Sequence, residues 1–550
     1  SRRTVPQVSR GRETVREPIP MSVDDVIVRT TQLGGSPLSQ AVQRGDVGAE
    51  WYAHRPASPA AWRAHAQQVR ASLDGLDWLT TLAPALAATG AAAERLAQAA
   101  ARGVVVTTGQ QPGLFGGPAY TWSKALSALS LADELSAATD MPVAPVFWAA
   151  SDDADWMEAA VTHVATARGL QALSLVGPAS QGVAMADVPL GDLTAARAAL
   201  TAACGSAAQA SVLAAVDAAY VPHATVGAAY VQLLRALLEP LGIAVLDAAH
   251  PACRAASDRF LRHALTAAAS VSDALSARTQ AIEAAGYAPQ VDVIDGLSLV
   301  FHTGLVSSGD GIQRVRVRVP VAEAATVARE AEPGSLGANV LLRPVLERSL
   351  LPTLTYLAGP GELAYFAQVS PIASALGASV PVVSPRWAGE VLDGDAYQAL
   401  DRLGLTDEML RDPHAAEQHL AQRLLDDGIN DTLERLRVAI DAQLRTLRGS
   451  VDGAGAPVSH DVIAGLSRDL THRIDRFEHR VLGGVKRNET EAMRELAYVR
   501  ASLRPLGKSP ERVLNLLPYL ARFGVGLLLR LRDASVSHAQ SLVHGTRAHS

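Results

Sequence analysis

Cysteine is nearly missing from this chain, with Cys204 and Cys253 the only two in 550 residues. Two cysteines cannot build a disulfide framework or a Cys-rich metal site. Both stand among alanines and read as inert thiols of a reducing, cytoplasmic protein. Aromatic residues make up 4% while Ala and Leu abound, so helix should outweigh strand. Basic residues are outnumbered: 49 Lys and Arg face 55 Asp and Glu, for a net charge of -6. That argues against a nucleic-acid partner, because neutralising phosphates takes a basic face. Long apolar runs are lacking as well. None reaches the ~20 residues of a membrane span, and GVGLLLRL is broken by Arg530. Residues 1–20 are Arg-rich without an apolar stretch, so they are no secretory signal. Met21 reads as the start, and residues 1–20 as a disordered extension.

Against this background one stretch stands out, VVVTTGQQPGLFGGPAYTWSK at 104–124. A β-branched run of buried-strand type enters a loop with Gly109, Gly113, Gly116 and Gly117. Pro118 suits a first helical position, and Trp122, Leu126, Leu129 and Leu135 follow at helical spacing. PVAPVFWAA (142–150) reads as a second buried strand, with Pro142 and Pro145 limiting its pairing. Strand, helix and strand in this order predict a right-handed parallel crossover. Further strands are expected at 243–247, 297–301, 315–319 and 380–384. The whole reads as α/β, an open sheet covered on both faces.

Beyond residue 395 strand signals vanish. Ile429, Leu433, Leu436, Ile440, Leu444 and Leu447 step by fours and threes. GSVDGAGAPVS (449–459) breaks the pattern, and Leu466, Leu470, Ile474, Phe477 and Val481 resume it. Two long helices around a Gly/Pro turn make an antiparallel hairpin with a coiled-coil-like seam. It is either an arm packed on its own core or a homodimerisation arm. The expected division is a core over 21–395, a helical arm over 396–508, and C-terminal helices over 509–550 that return to the core. Ser509 and Pro510 mark a helix start there.

In a parallel sheet, ligands sit beyond the carboxyl ends of the strands. The loop at 109–117 ends one expected strand, and ASDDADWMEAA (150–160) ends the next. If the strands are neighbours, the glycines and the acids share a cleft. The loop is either an anion cradle or a tight turn. It lacks the Gly-Lys-Ser/Thr of a Walker loop and the spacing of a dinucleotide fingerprint. Lys124 adds weight to the anion reading, because the chain has only three lysines. A compact ammonium at that point differs from the Arg used elsewhere, although a solvated helix-face Lys is the plain alternative. Asp152, Asp153, Asp155 and Glu158 can raise one another's pKa toward that of a useful base, or hold Mg²⁺, or simply start a helix. NVLLRPVLERSLLPTLTYLAGPGELAYFAQ (339–368) adds Arg343 in an apolar setting, the turn Gly359-Pro360-Gly361-Glu362, and Tyr365. Arg386 follows another expected strand. A buried guanidinium needs an anionic partner, either a ligand or an internal carboxylate. No metal site is specified by His/Cys spacing.

These motifs, with PVVSPR and ERVLNLLPYL, fall in order from about residue 45 to about residue 535. Together they resemble the bacillithiol biosynthesis cysteine-adding enzymes, the BshC family. The resemblance implies a Rossmann-like core with helical insertions and a C-terminal coiled-coil domain, often dimeric. It implies a ligase that joins cysteine to the amine of glucosaminyl-malate. ATP-dependent activation of the cysteine carboxylate, with Mg²⁺, is the expectation that accompanies it. Gly109–Gly117 with Gln110, Gln111 and Lys124 would then bind the anionic part of a nucleotide or activated carboxylate, and Arg343 and Arg386 the malate carboxylates. Asp155 is the favoured base for the attacking ammonium. Two positions depart from the family pattern. Ala154 stands where a His usually lies between acids, and Glu347 where Gln is common after Arg-Pro. They leave open a binding-only relative, or a ligase for another amino acid and amino sugar.

Overall fold

The computed structural model describes residues 26–176, 182–205, 209–308, 311–451 and 457–545. The expectation for residues 1–20 lies outside them. At the centre is a five-stranded parallel sheet, formed by β1 (Val104–Gln110), β2 (Val143–Ala149), β3 (Ala244–Asp247), β4 (Thr353–Ala358) and β5 (Val383–Pro385). The order across the sheet is β5-β4-β1-β2-β3. Every residue of β1 and β2 is buried, as a sheet covered on both faces requires.

Alternation along the strands assigns the two faces. Val104, Val106 and Val143 pack with Ala128, Leu131 and Leu135 of helix α1 (Ala119–Thr139). Val105, Val146 and Trp148 face the opposite layer, with Leu82, Leu96 and Cys253. Helix α1 is itself covered by the C-terminal helix Gly526–His544, where Ser130 Oγ donates to Arg532 O at 2.8 Å. Helix α1 is therefore buried on nearly every side, which explains why it carries so few charges.

Pro145 limits the pairing of β2 on one side only, and the strand lies inside the sheet. Val104 N donates to Pro142 O, and Ala150 N to Gln110 O, so the even positions of β2 face β1. Pro145 faces the other edge, where pairing with β3 begins only at Val146. The missing N–H costs no ladder bond.

Leu297–Ser308 and Gly311–Pro320 are strands, but they lie outside the central sheet. They form an antiparallel hairpin joined by Leu336–Ala338. Leu305 and Val317, which the register puts on opposite faces of the hairpin, are both exposed. Of the central sheet the sequence reading missed β4, wholly buried; outside it, it missed Val26–Thr30, Val161–Thr166, Gly169–Ser174, Leu336–Ala338 and Gly389–Asp393.

After Gly389–Asp393, the last strand, the chain is helical. Helices α2 (Asp427–Ser450) and α3 (His460–Asn488) form the expected hairpin, and Arg437 bridges from α2 to Asp475 and Glu478 on α3. Residues 452–456 of the turn lie outside the described residues. Ser509 and Pro510 lead into a single 3-10 turn, not a long helix.

Candidate active site

Strand order reverses between β1 and β4: β2 and β3 follow on one side of β1, β4 and β5 on the other. A crevice opens at such a reversal, beyond the carboxyl ends of the strands. The glycine loop leaves β1 there, the Gly359–Glu362 turn leaves β4, and Arg386 follows β5. The acidic stretch leaves β2, paired with β1 as far as Gln110↔Ala149. Gly113 and Gly117 line a cavity with Glu158, Asp153 lines the adjoining one, and Asp155 lines neither.

The glycine loop is a tight turn. Gly116 N donates to Gly113 O, Gly117 N to Leu114 O, and Ala119 N to Leu514 O. Those amides are spent inside the protein and are not presented to an anion. The glycines serve close packing. A Cβ on Gly113 would sit 2.7 Å from Gly117 Cα, and one on Gly116 (φ +85) 2.6 Å from the Trp122 ring. Phe115 also holds positive φ, pinned by Asn515 Nδ2, which donates to Phe115 O at 2.9 Å.

Lys124 is neither solvated nor free for a ligand. It is 4% exposed and donates to Gly109 O (2.8 Å), Gln110 Oε1 (2.9 Å) and Glu362 Oε2 (2.7 Å). An ammonium has three donors, and all three are used. Lys124 therefore ties the β1 loop to the β4 turn. Glu362 also accepts from Tyr356 Oη (2.6 Å) and Gly359 N (2.7 Å), capping the following helix, Pro360–Ala375. Burial alone would raise Glu362, but Lys124 holds its carboxyl below the ordinary range.

Two cavities flank this node. The first, about 340 Å³, is lined by Lys124, Asp153, Arg343, Gly359, Gly361, Glu362, Tyr365 and Arg386. The second, about 440 Å³, lies on the far side of Gln110, Gln111 and Tyr120, under Glu158, His163 and Lys508. Arg386 is committed internally: its Nη1 and Nη2 reach Glu511 at 3.0 and 2.8 Å, both residues being buried. Arg343 is different. Its guanidinium makes one long hydrogen bond, from Nη2 to Tyr365 Oη at 3.4 Å. Among the described residues it has no ion pair within 4 Å.

The acidic stretch separates into distinct roles. Asp155, expected as the base, is exposed and caps the short helix Trp156–Ala159 by accepting from Glu158 N at 3.1 Å. Asp152 lies 3.7 Å from Arg316, a hairpin residue that also reaches Asp152 O. Asp153 lines the first cavity, and burial, with Asp152 adding to it, raises its carboxyl above the ordinary range. Glu158 faces the second cavity and accepts from Gln111 Nε2 (2.5 Å) and Tyr120 Oη (3.2 Å); burial raises it too. Among the described residues, no three His, Cys, Asp or Glu gather as a metal site.

Glu347, on the helix Arg343–Leu350, is 1% exposed, and its Oε2 has no hydrogen-bond partner. Burial raises it to about 7, against the pull of Thr107 and Arg343. The fold thus binds this proton more tightly than the unfolded chain, whose glutamate titrates near 4.5. The resulting penalty is absent below that pH, grows through the interval and is complete above pH 7. Glu347→Gln is expected to be more stable than wild type at pH 8 by on the order of 1–3 kcal/mol, with the gap closing toward pH 5. Denaturant midpoints at the two pH values measure this, and an equal gap at both would contradict it.

The sequence reading missed Tyr120, Gln290, Lys508, Glu511, Arg512 and Asn515. ERVLNLLPYL was the available signal, but nothing in one dimension places residue 512 beside residue 110.

Comparison with known proteins agrees with this architecture. The family model "Bacillithiol biosynthesis BshC, N-terminal Rossmann-like domain" matches residues 38–387, and "Bacillithiol biosynthesis BshC, C-terminal coiled-coil domain" matches residues 391–542. A protein of Solibacter usitatus is 30% identical over 446 residues, covering 78% of this chain and 82% of that protein. One of Symbiobacterium thermophilum is 30% identical over 461 residues, covering 78% and 81%. One of Heliobacterium modesticaldum is 29% identical over 493 residues, covering 82% and 84%. All three bear the name "Putative cysteine ligase BshC". With both domain models matched in order across most of its length, the chain belongs to the BshC family of bacillithiol biosynthesis and is an enzyme of the ligase class.

Proposed function

We propose that this enzyme joins the carboxyl of cysteine to the amine of glucosaminyl-malate, giving bacillithiol, after a nucleotide has activated that carboxyl. The observation that carries the reading is the pairing of Arg343 with Asp153 in one cavity. Arg343 offers a guanidinium without a carboxylate partner, which suits a malate carboxylate. Asp153 offers a carboxylate whose raised pKa suits a base. The acceptor amine is protonated near neutral pH and must lose a proton before it attacks. In this reading its nitrogen attacks the activated carbonyl, the C–N bond forms, and the phosphate-bearing leaving group departs with the C–O electron pair. Asp153 takes the ammonium proton.

The nucleotide is held by side chains in this account, since Gly116 N and Gly117 N close the turn and Glu362 caps the helix after β4. A cytoplasmic location belongs to the proposal, because cysteine and product both carry free thiols. Cys204 and Cys253 are buried and unbonded, and no helix among the described residues is long and apolar enough to cross a membrane. A homodimer through the arm belongs to it too: Leu436, Leu447, Leu466 and Phe477 are each 42–55% exposed there. Its mass in solution decides that point.

Asp153→Asn is expected to lower kcat about 100- to 10,000-fold with little change in KM. Asp155→Asn keeps a capping oxygen for Glu158 N and should leave both stability and turnover near wild type. Steady-state kinetics of the two variants test the assignment. The reverse ranking would return the base role to Asp155.

A further inference from the structure

The segment ERVLNLLPYL runs between the two cavities, and the function proposed so far leaves it unused. Its backbone is fixed on both sides of Arg512. On one side Glu511 makes the buried two-point ion pair with Arg386. On the other, Asn515 is 1% exposed and its Nδ2 donates to Phe115 O (2.9 Å), Leu114 O (3.2 Å) and Thr162 Oγ1 (3.2 Å). Its Oδ1 accepts from Leu517 N at 2.9 Å. A segment held this firmly at residues 511 and 515 presents residue 512 in a defined place.

That place is the junction. Arg512 lines both cavities, and so do Gln110, Gln111 and Tyr120. Among the described residues, Arg512 has no side-chain hydrogen bond and no ion pair, while its neighbours Glu511 and Arg386 satisfy each other. Lys508 adds a second cation to the larger cavity. The planar fork of a guanidinium suits two oxygens of one carboxylate or phosphate.

We infer that Arg512 is a substrate-binding residue, taking an anionic oxygen pair, carboxylate or phosphate, at the point where the two cavities meet. This rests on the ligase reading only in the name of the ligand. The anion site itself follows from the cavities and the fixed segment. It also explains why a stretch 400 residues from the glycine loop is built into its wall.

The test uses the full chain with Arg512→Gln and Arg512→Lys. Calorimetry with L-malate and with inorganic pyrophosphate reads carboxylate and phosphate binding separately. Arg512→Gln should weaken at least one probe by about 10- to 100-fold, and Arg512→Lys, which keeps charge but not the fork, by less. Loss confined to malate assigns the carboxylate, and loss confined to pyrophosphate assigns the phosphate. Affinities equal to wild type for both probes would overturn the inference, as would wild-type protein that binds neither. Arg512-dependent binding in protein that makes no bacillithiol would end the ligase reading and leave the anion site standing. Turnover with unaltered KM values in Arg512→Gln would do the reverse.

Discussion

Arg343→Gln should lower kcat/KM for the amine acceptor by about 30- to 1,000-fold, corresponding to the loss of a bidentate charged contact of roughly 2–4 kcal/mol. The single protein contact of Arg343 is the Tyr365 hydroxyl at 3.4 Å, and it lines a cavity with Asp153. Of the other cations of that cavity, Arg512 stands at its junction with the second one, while Lys124 and Arg386 are taken up by Glu362 and Glu511. Neither has a charge left to offer an incoming carboxylate. If Arg343 binds the acceptor in the ground state, the loss falls on KM. If it also steadies charge during attack, kcat falls with it. Steady-state kinetics with the acceptor varied separate the two. A change below about threefold would show that the malate carboxylates are bound elsewhere. The variant leaves Glu347 buried without its nearest guanidinium, so kinetics at pH 6 and 8 on Arg343→Gln/Glu347→Gln control for that carboxylate's own ionisation.

The second large effect is on stability. Glu511→Ala should destabilise the fold by about 3–5 kcal/mol, because it leaves a buried guanidinium without its carboxylate. Arg386 is 2% exposed, and its Nε already lacks a partner. The remaining contact, from Nη1 to Trp387 O at 2.7 Å, cannot neutralise the charge. The loss should spread, since Glu511 anchors the segment that carries Arg512 and Asn515. Thermal or denaturant unfolding of wild type and variant measures it. Replacing both partners, as Arg386→Met/Glu511→Met, should recover much of the stability, since the desolvation of two charges is then avoided. A single variant as stable as wild type would mean that water or a rearranged carboxylate reaches Arg386.

Much of the fold was legible. β1 and β2 announce themselves as β-branched buried runs on either side of a helical stretch, and their parallel pairing followed from order alone. β4 was hidden because only Leu351 and Pro352 separate TLTYLA from the helix Arg343–Leu350, so LLPTLTYLA reads as one apolar run. The two strands of the 297–320 hairpin were visible, but their partners were not. Alternating VRVRV fits an open antiparallel sheet as well as a central one. In the arm, the four-and-three stepping located both helices, yet Leu436 and Phe477 remain exposed, which periodicity alone cannot reveal.

The site was legible as a set of residues and less so as roles. Gln110, Gln111, Lys124, Asp153, Arg343, Glu362 and Arg386 all meet at the crevice. Which of them are free is a matter of three-dimensional pairing. Lys124 looked available until its three donors were accounted for, and Asp155 looked reactive until it proved to be a cap. The C-terminal contribution was out of reach, because Glu511 and Asn515 meet their partners across 125 to 401 residues of chain and so carry Arg512 to the site.

The account is tested most directly by mass spectrometry of the purified protein incubated with cysteine, glucosaminyl-malate, ATP and Mg²⁺, with each component omitted in turn. It predicts bacillithiol in the complete mixture and in no other, with loss of product in Asp153→Asn. Folded wild-type protein that yields no product from the complete mixture would contradict it, as would product formed without nucleotide.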